Sequence, residues 1–256
     1  MSAGVPRVSV AVVTLNEEER LRACLESVVW AEELVVVDAG SSDKTVAIAR
    51  EFTDRVQFRA WDGYGTQKNF ALGQCRGDWI LSLDADERVP EALRKEIQAT
   101  LAGEPREAGF YVPRRNLFQG RWMRHGGLYP DWQLRLFRRG QGRFAERAVH
   151  ESVRVDGPTR RLRTPLIHES YRSVADAVAR LNRYSDLAAA DLAASGRGGG
   201  LVDLVARPAW RFVSMYLLRV GFLDGWRGFL LAALHAHYVF LRAAKVRERS
   251  SGRGLA

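Results

Sequence analysis

The chain has 256 residues, 46% of them hydrophobic and 27% charged, which is enough apolar material for a substantial core and argues against disorder over most of its length. Its formal charge of +9 is uneven: residues 1–105 hold 12 Lys/Arg against 18 Asp/Glu, or −6, and residues 106–256 hold 27 against 12, or +15. The basic surplus suits phosphates or an anionic membrane surface, while the lack of helix-turn-helix, zinc-finger or RNP-like patterns argues against nucleic acid as partner.

Apolar strands alternate with amphipathic helical patterns from Val8 to Leu101, the signature of a parallel sheet covered on both faces. Strands are expected at Val8–Thr14, 34–38, 56–59 and Trp79–Asp84. Helices fall between them around Leu21, Leu25 and Val28, around Val46 to Arg50, and around Phe70 and Leu72. Pro90 opens a fourth helix running to about Leu101. This reads as a nucleotide-binding half of Rossmann type, whose ligands lie beyond the carboxyl ends of the strands. Cys24 and Cys75 have no pairing or metal spacing and are expected to be buried thiols in a reducing setting. The beginning, Met-Ser-Ala-Gly-Val-Pro-Arg, lacks the basic and apolar regions of a signal peptide, so the expected location is the cytoplasm.

After Gly103 short pieces at 110–113, 133–137 and 152–155 look like antiparallel strands separated by loops rich in Gly, Arg and aromatics. A polar, Ala-rich helix is expected from Ser173 to about Ser195, followed by Gly196-Arg197-Gly198-Gly199-Gly200 as a linker. Beyond it Leu201, Leu204, Val205, Phe212 and Met215 keep helical spacing, with Pro208 kinking or restarting the helix. A second stripe runs from Trp226 through Leu230, Leu234 and Leu241, flanked by Arg and Lys. Asp224, Arg227, His235 and His237 interrupt the windows of roughly 20 apolar residues that a spanning helix needs. The preferred expectation is a pair of helices lying in an anionic membrane interface. Packing on the core or on a second subunit, making a homo-oligomer, is the alternative.

Chemistry gathers at the strand ends. The first strand ends in Thr14-Leu15-Asn16-Glu17 and the second in Asp38-Ala39-Gly40-Ser41-Ser42-Asp43-Lys44-Thr45. Asp38 stands where a base NH or ribose hydroxyl would be held, whereas helix capping accounts for Ser42 and Asp43. No G-x-G-x-x-G is present, because Gly63-Tyr64-Gly65 lacks the third glycine, which argues against an NAD site. The fourth strand ends in Asp84-Ala85-Asp86-Glu87, and its two aspartates would share one face if the segment stayed extended. Hard carboxylates without thiols favour Mg²⁺ or Mn²⁺, with substrate phosphates completing the shell.

These four motifs in order, with Gln67-Lys68-Asn69 as the third, resemble the inverting family 2 glycosyltransferases of GT-A fold. The segments 131–137, Val149-His150-Glu151, 166–171 and 221–225 are similar to the branch that glucosylates the lipopolysaccharide core (the WaaE/KdtX type). The resemblance implies an α/β GT-A domain with a C-terminal amphipathic helical extension. Its parts would be a nucleotide-sugar half over residues 1–103, an acceptor half over 104–196 and an extension over 201–256. It implies that Thr14, Asn16, Glu17 and Asp38 line the nucleoside pocket and that Lys68 reaches the base or diphosphate. Asp84 would contact ribose or metal, Asp86 and His168 would bind the metal, and Glu151 would deprotonate the acceptor. A strand-pairing role remains open for Glu151, and a hydrogen-bonded core role for His168. Ala39 departs from the family, where an acidic or amide residue often follows the aspartate.

The resulting expectation is transfer of a hexose, glucose from a UDP-sugar donor, to a lipid-linked saccharide acceptor by an enzyme peripheral on the inner face of the cytoplasmic membrane. A polyprenyl-phosphate or other envelope-glycan acceptor is the alternative. A sugar-phosphate nucleotidyltransferase is the rival class, but it would need a basic Gly-rich loop where Thr14 to Glu19 is acidic.

Overall fold

The computed structural model describes residues 6–145, 152–195 and 199–252. Two compact units emerge: Met1–Arg114 with Trp132–His168, and Arg115–Asp131 with Glu169–Ala256. Residues 115–131 group with the C-terminal part and residues 132–168 with the N-terminal part.

In the first unit the four expected parallel-sheet strands are β1 (Val8–Thr14), β2 (Glu33–Asp38), β3 (Val56–Phe58) and β4 (Trp79–Asp84). β1 pairs parallel with both β2 and β4, and β2 with β3. Helices α1 (Leu21–Glu26), α2 (Thr45–Arg50) and α3 (Tyr64–Gln74) make the crossovers, and α4 (Glu91–Ala102) follows the fourth strand's turn. Val8, Val10 and Val12 pack with Leu21, Leu25, Leu93 and Ile97 on one face, whereas Ala11, Val35 and Val37 pack with Ala71 and Leu72 on the other. Burial on both faces explains why these strands read as near-continuous apolar runs. Cys24 and Cys75 are buried free thiols, and burial pushes Cys75 up to about 11.

The sheet continues through β5 (Glu87–Arg88), β6 (Gly109–Phe118), β7 (Arg121–Trp122), β8 (Asp131–Arg138), β11 (Thr159–Arg161) and β12 (Leu166–Tyr171) in the order β3-β2-β1-β4-β8-β6-β12-β5, with β7 and β11 on β6. β8 runs antiparallel to β4, as expected, but β11 pairs parallel to β6, a strand the sequence does not announce. Its residues, Thr-Arg-Arg, are exposed and carry no apolar alternation. A separate antiparallel hairpin joins β9 (Gly142–Phe144) to β10 (Val153–Val155).

The second unit is mainly helical: α5 (Val174–Ala194), α6 (Leu201–Leu204), α7 (Ala206–Val213) and α8 (Trp226–Gly252). Ser173 caps α5 by accepting from the Asp176 N–H. Pro208 sits in the first turn of α7, where no preceding carbonyl needs its missing N–H, so it restarts the helix rather than kinking it. A π-helical segment, Ser214–Leu218, and a 3₁₀ segment, Gly221–Asp224, connect α7 to α8. Trp226–Ser250 is long and apolar enough to cross a bilayer by length and composition, which corrects the expectation that its polar residues interrupt every window. Its inner residues Leu231 and Leu234 pack with Ala177 and Leu181 of α5, and Lys245 pairs with Asp186 at 2.8 Å.

Candidate active site

Register brings the chemistry to one edge. Thr14 pairs with Asp38 and Val13 with Asp84, so the ends of β1, β2 and β4 lie side by side at the carboxyl edge of the parallel strands. Thr14 is 3% exposed, and its hydroxyl is buried without a hydrogen-bond partner among the described residues. An unsatisfied buried hydroxyl costs about 1–3 kcal/mol, a penalty that a ligand group placed at this edge would relieve.

The loops after β1 and β2 are stitched together. The Asn16 N–H donates to Ser41 Oγ at 2.8 Å, and Asn16 Oδ1 accepts from the Ser42 N–H at 2.9 Å. The Glu17 N–H donates to Thr45 Oγ1, and the Glu17 carboxylate pairs with Arg20 at 3.0 Å. Asp38 accepts from the Gly40 N–H, the Ser41 N–H and Ser41 Oγ at 2.8, 2.8 and 2.5 Å. A carboxylate offers about four acceptor sites, so its own turn takes three of them. Gly40, at φ +102, supplies the conformation this turn requires. Asp43 accepts from the Thr45 N–H and Ser42 bonds Asn16, but neither is the cap expected from the sequence: the N-cap position of α2 is Lys44, without a side-chain cap bond.

Asp84 and Asp86 do not form the extended pair expected from their spacing. The strand ends at Asp84, and a turn at Ala85-Asp86 leads directly into β5, so period-two alternation stops before the second aspartate. Asp84 Oδ1 receives Lys68 Nζ at 2.7 Å and Oδ2 receives Arg135 Nη2 at 2.5 Å. Arg135 Nη2 also donates to Glu87 Oε1 at 2.6 Å, which in turn meets Arg114 at 3.3 Å, while Glu87 Oε2 accepts the Asp84 N–H. Burial alone would raise the Asp84 pKa, but the charges of Arg135 and Lys68 outweigh it and hold the carboxyl well below its ordinary range. Burial opposes the charge on Arg135 too, and Asp84 and Glu87 overcome it, so the guanidinium stays charged.

With its charge neutralised by two cations, Asp84 is a poor sole anchor for a metal. Asp86 has different surroundings. It is 9% exposed, and His168 Nε2 lies 3.5 Å from its Oδ1, placed there by the antiparallel pairing of β12 with β5 that sets His168 opposite Glu87. Among the described residues no group of three or more His, Cys, Asp and Glu forms a metal cage. One carboxylate and one imidazole nevertheless fit a divalent ion of the Mg²⁺ or Mn²⁺ class, which keeps waters and takes its other oxygens from substrate phosphates.

Helix α3 links these groups to the β9–β10 hairpin. Lys68 Nζ lies 5.1 Å from the Phe144 ring centroid. The next residue, Asn69, donates to the Phe144 carbonyl at 3.0 Å and accepts the Phe144 N–H at 2.8 Å. The hairpin's last described bond on that side runs from the Ala145 N–H to the Ser152 carbonyl, at 3.1 Å. Glu151 and His150 lie outside the described residues. Gln67 is fully buried and donates to the carbonyls of Arg59 and Ala60.

In the second unit, Arg115 and Arg124 each approach the Trp122 ring at 4.3 Å, and Tyr129 meets it edge-on. His125 donates its N–H to Asp224 and places Nδ1 2.9 Å from the same carboxylate. This aromatic-Arg loop is thus packed within its own unit.

The sequence model of the family described as Glycosyl transferase family 2 matches residues 9–159. The chain belongs to that family. A lipopolysaccharide core biosynthesis glycosyltransferase, LpsC of Rhizobium meliloti, is 34% identical over 249 residues, covering 94% of this chain and 92% of the relative. An uncharacterized glycosyltransferase of Rickettsia bellii is 31% identical over 95% of this chain and 87% of its own. Among solved structures, residues 1–349 of S. aureus TarS in complex with UDP superpose with a TM-score of 0.51 at 17% identity, covering 97% of this chain and 92% of that one. The fold is GT-A, with a C-terminal helical extension.

For this family 2 glycosyltransferase, sequence reasoning named Lys68, Asp84, Asp86 and His168 but missed Arg135, Glu87 and Arg114. Arg135 lies within the segment 131–137, and its placement between hydrophobic residues of a buried strand was the available signal: a charge there requires partners. The family match ends at Thr159, the first residue of β11, before His168, whereas the similarity to LpsC runs over nearly the whole chain.

Proposed function

We propose that this glycosyltransferase moves a hexose, glucose from UDP-glucose, with inversion to a hydroxyl of a lipid-linked saccharide of the lipopolysaccharide inner core. The observation that carries this reading is the 34% identity with LpsC along 94% of the chain. The surplus of +15 over residues 106–256 suits an anionic acceptor and the inner face of the cytoplasmic membrane.

Thr14 and Asp38 bind the nucleoside, and the locked Asn16–Ser42 loops keep that edge rigid. Lys68 faces the diphosphate, while Asp84, held ionised, orients Lys68 and Arg135 toward the developing negative charge of the leaving group. Asp86 and His168 would hold a divalent ion. When bound, such an ion neutralises charge on the departing diphosphate, a contribution of several kcal/mol. Glu151 takes the proton from the attacking hydroxyl on the opposite face of the sugar, a role typically contributing ~10²–10⁴ in rate.

The test is a panel of nucleotide sugars incubated with the protein and Mn²⁺, with and without chelator and with core oligosaccharide lipid or polyprenyl phosphate as acceptor. Transfer of glucose to the core lipid is expected. Transfer to polyprenyl phosphate alone selects the other acceptor, and no release of nucleoside diphosphate from any donor overturns the reading.

A further inference from the structure

Twelve of the seventeen large apolar side chains exposed on the described surface lie between Leu201 and Phe240. Six of them crowd into ten residues where the π-helical and 3₁₀ segments turn into α8: Leu217, Leu218, Val220, Phe222, Leu223 and Trp226.

This turn is braced from behind. Asp224 is buried against His125, and the Gly126 N–H donates to the Arg219 carbonyl at 2.8 Å. Backbones meet so closely that a Cβ on Gly221 would stand 2.6 Å from the Met215 carbonyl oxygen and one on Gly228 would stand 1.9 Å from that of Gly221. Val220 is β-branched yet holds φ +50, a conformation that persists only where its surroundings impose it. The fold therefore fixes these side chains outward.

The charge beside them is of one sign. Residues 201–247 hold seven Lys/Arg against two Asp, or +5. Both acids are already engaged, Asp203 with Arg207 at 2.7 Å and Asp224 with His125. Arg211 Nε and Arg227 Nε are buried without a hydrogen-bond acceptor among the described residues. Burial, followed by the neighbouring charges of Arg219 and Arg242, lowers the pKa of Arg211, so this guanidinium is crowded by like charge. Arg227 lies 4.6 Å from the Trp226 ring, an amphipathic pair of the kind that settles at a bilayer's headgroup level.

We propose that residues 217–226 form a membrane wedge, in which Leu217, Leu218, Phe222, Leu223 and Trp226 enter the headgroup–acyl boundary of an anionic bilayer while Arg211, Arg219 and Arg227 meet lipid phosphates. The proposal rests on the reading that the acceptor is lipid-linked and names the surface by which the enzyme reaches it.

The experiment is co-sedimentation of the full chain with vesicles of phosphatidylcholine alone or mixed with phosphatidylglycerol. Wild type is expected to sediment with the mixed vesicles. The double variant Phe222→Ser, Leu223→Ser should bind them about a hundredfold more weakly, two lost apolar insertions at about tenfold each. Arg219→Gln should weaken binding to mixed vesicles about fivefold, and Phe58→Ser, an exposed apolar residue of β3, should change nothing. With brominated lipid, wild-type tryptophan fluorescence should be quenched, and Trp226→Phe should remove part of the quenching that Trp61→Phe leaves intact. Undiminished binding by the double variant overturns the wedge. So does a wild type that ignores vesicles but forms a dimer in sedimentation equilibrium that the double variant splits, since the occupant would then be a second copy. Release of nucleoside diphosphate without acceptor, measured on the same variants, should stay at the wild-type rate; failure there in wild type overturns the catalytic reading and leaves the vesicle result standing.

Discussion

His168 Nε2 lies 3.5 Å from Asp86 Oδ1, although 82 positions separate the two residues in the chain. The pairing of β12 with β5 creates this proximity at the turn beyond β4, and the two side chains are the proposed holders of the divalent ion. Asp86→Asn should therefore lose about 3 kcal/mol or more of transition-state stabilisation, seen as a drop of about a hundredfold or more in kcat. His168→Gln should chiefly raise the Mn²⁺ concentration needed for half-maximal turnover. Metal titrations of both variants check the assignment, and wild-type turnover in Asp86→Asn would refute it.

Arg135 and Glu87 are both buried, and Arg135 also neutralises Asp84. Removing one member of such a network leaves the other charges without compensation in a low-dielectric setting, at a cost of about 3–5 kcal/mol. Arg135→Ala should show that loss in urea unfolding, with glycosyl transfer failing through instability as well as chemistry.

The same network sets a pH dependence. The folded-state pKa of Asp84 is held well below its ordinary value of 3.8. A depressed carboxylate pKa stabilises the fold above its unfolded value, and that contribution disappears as pH falls through the folded pKa. Stability of the wild type should thus decline on acidification below about 4, and Asp84→Asn should be less stable at neutral pH with a shallower acid limb. Equal acid limbs in urea melts would remove Asp84 from the linkage.

Much of this arrangement is legible in the sequence. The expected and observed bounds of Val8–Thr14 and Trp79–Asp84 agree to the residue, because strands buried on both faces produce unbroken apolar runs that end abruptly at polar residues. The turn after Asp38 is readable because Gly40 and Ser41 lie within three residues of the acceptor. The Arg135–Asp84 contact is not: it depends on β8 lying antiparallel to β4, and nothing local specifies which carboxylate a buried arginine will meet. The spacing of Asp84 and Asp86 misleads for a related reason, because alternation applies only while the strand continues, and Ala85-Asp86 turns instead. Exposed β11 gives no apolar signal at all.

Glu151 is proposed as the base that activates the acceptor. Glu151→Gln keeps the shape of the side chain and removes its capacity to take a proton. Donor affinity should stay near wild type, while transfer falls by about 10²–10⁴. Measuring nucleotide binding by calorimetry alongside transfer to acceptor separates the two, and an unchanged transfer rate would move the base elsewhere.

Asn69 supplies the last test, because it bonds both the N–H and the carbonyl of Phe144 and so fixes β9 to α3 one residue away from Lys68. The β9–β10 ladder brackets the segment that carries Glu151, with Ala145 bonding Ser152. Asn69→Ala deletes two hydrogen bonds, each with a net value of about 0.5–1.5 kcal/mol, and should lower stability by about 1–3 kcal/mol. If α3 positions the hairpin as well as the donor-side cation, the variant should lose transfer to acceptor more than it loses release of nucleoside diphosphate to water. A general structural defect would lower both in proportion. The ratio of transfer to release, measured on protein shown by circular dichroism to be folded at the assay temperature, therefore decides whether Asn69 couples the two halves of the reaction.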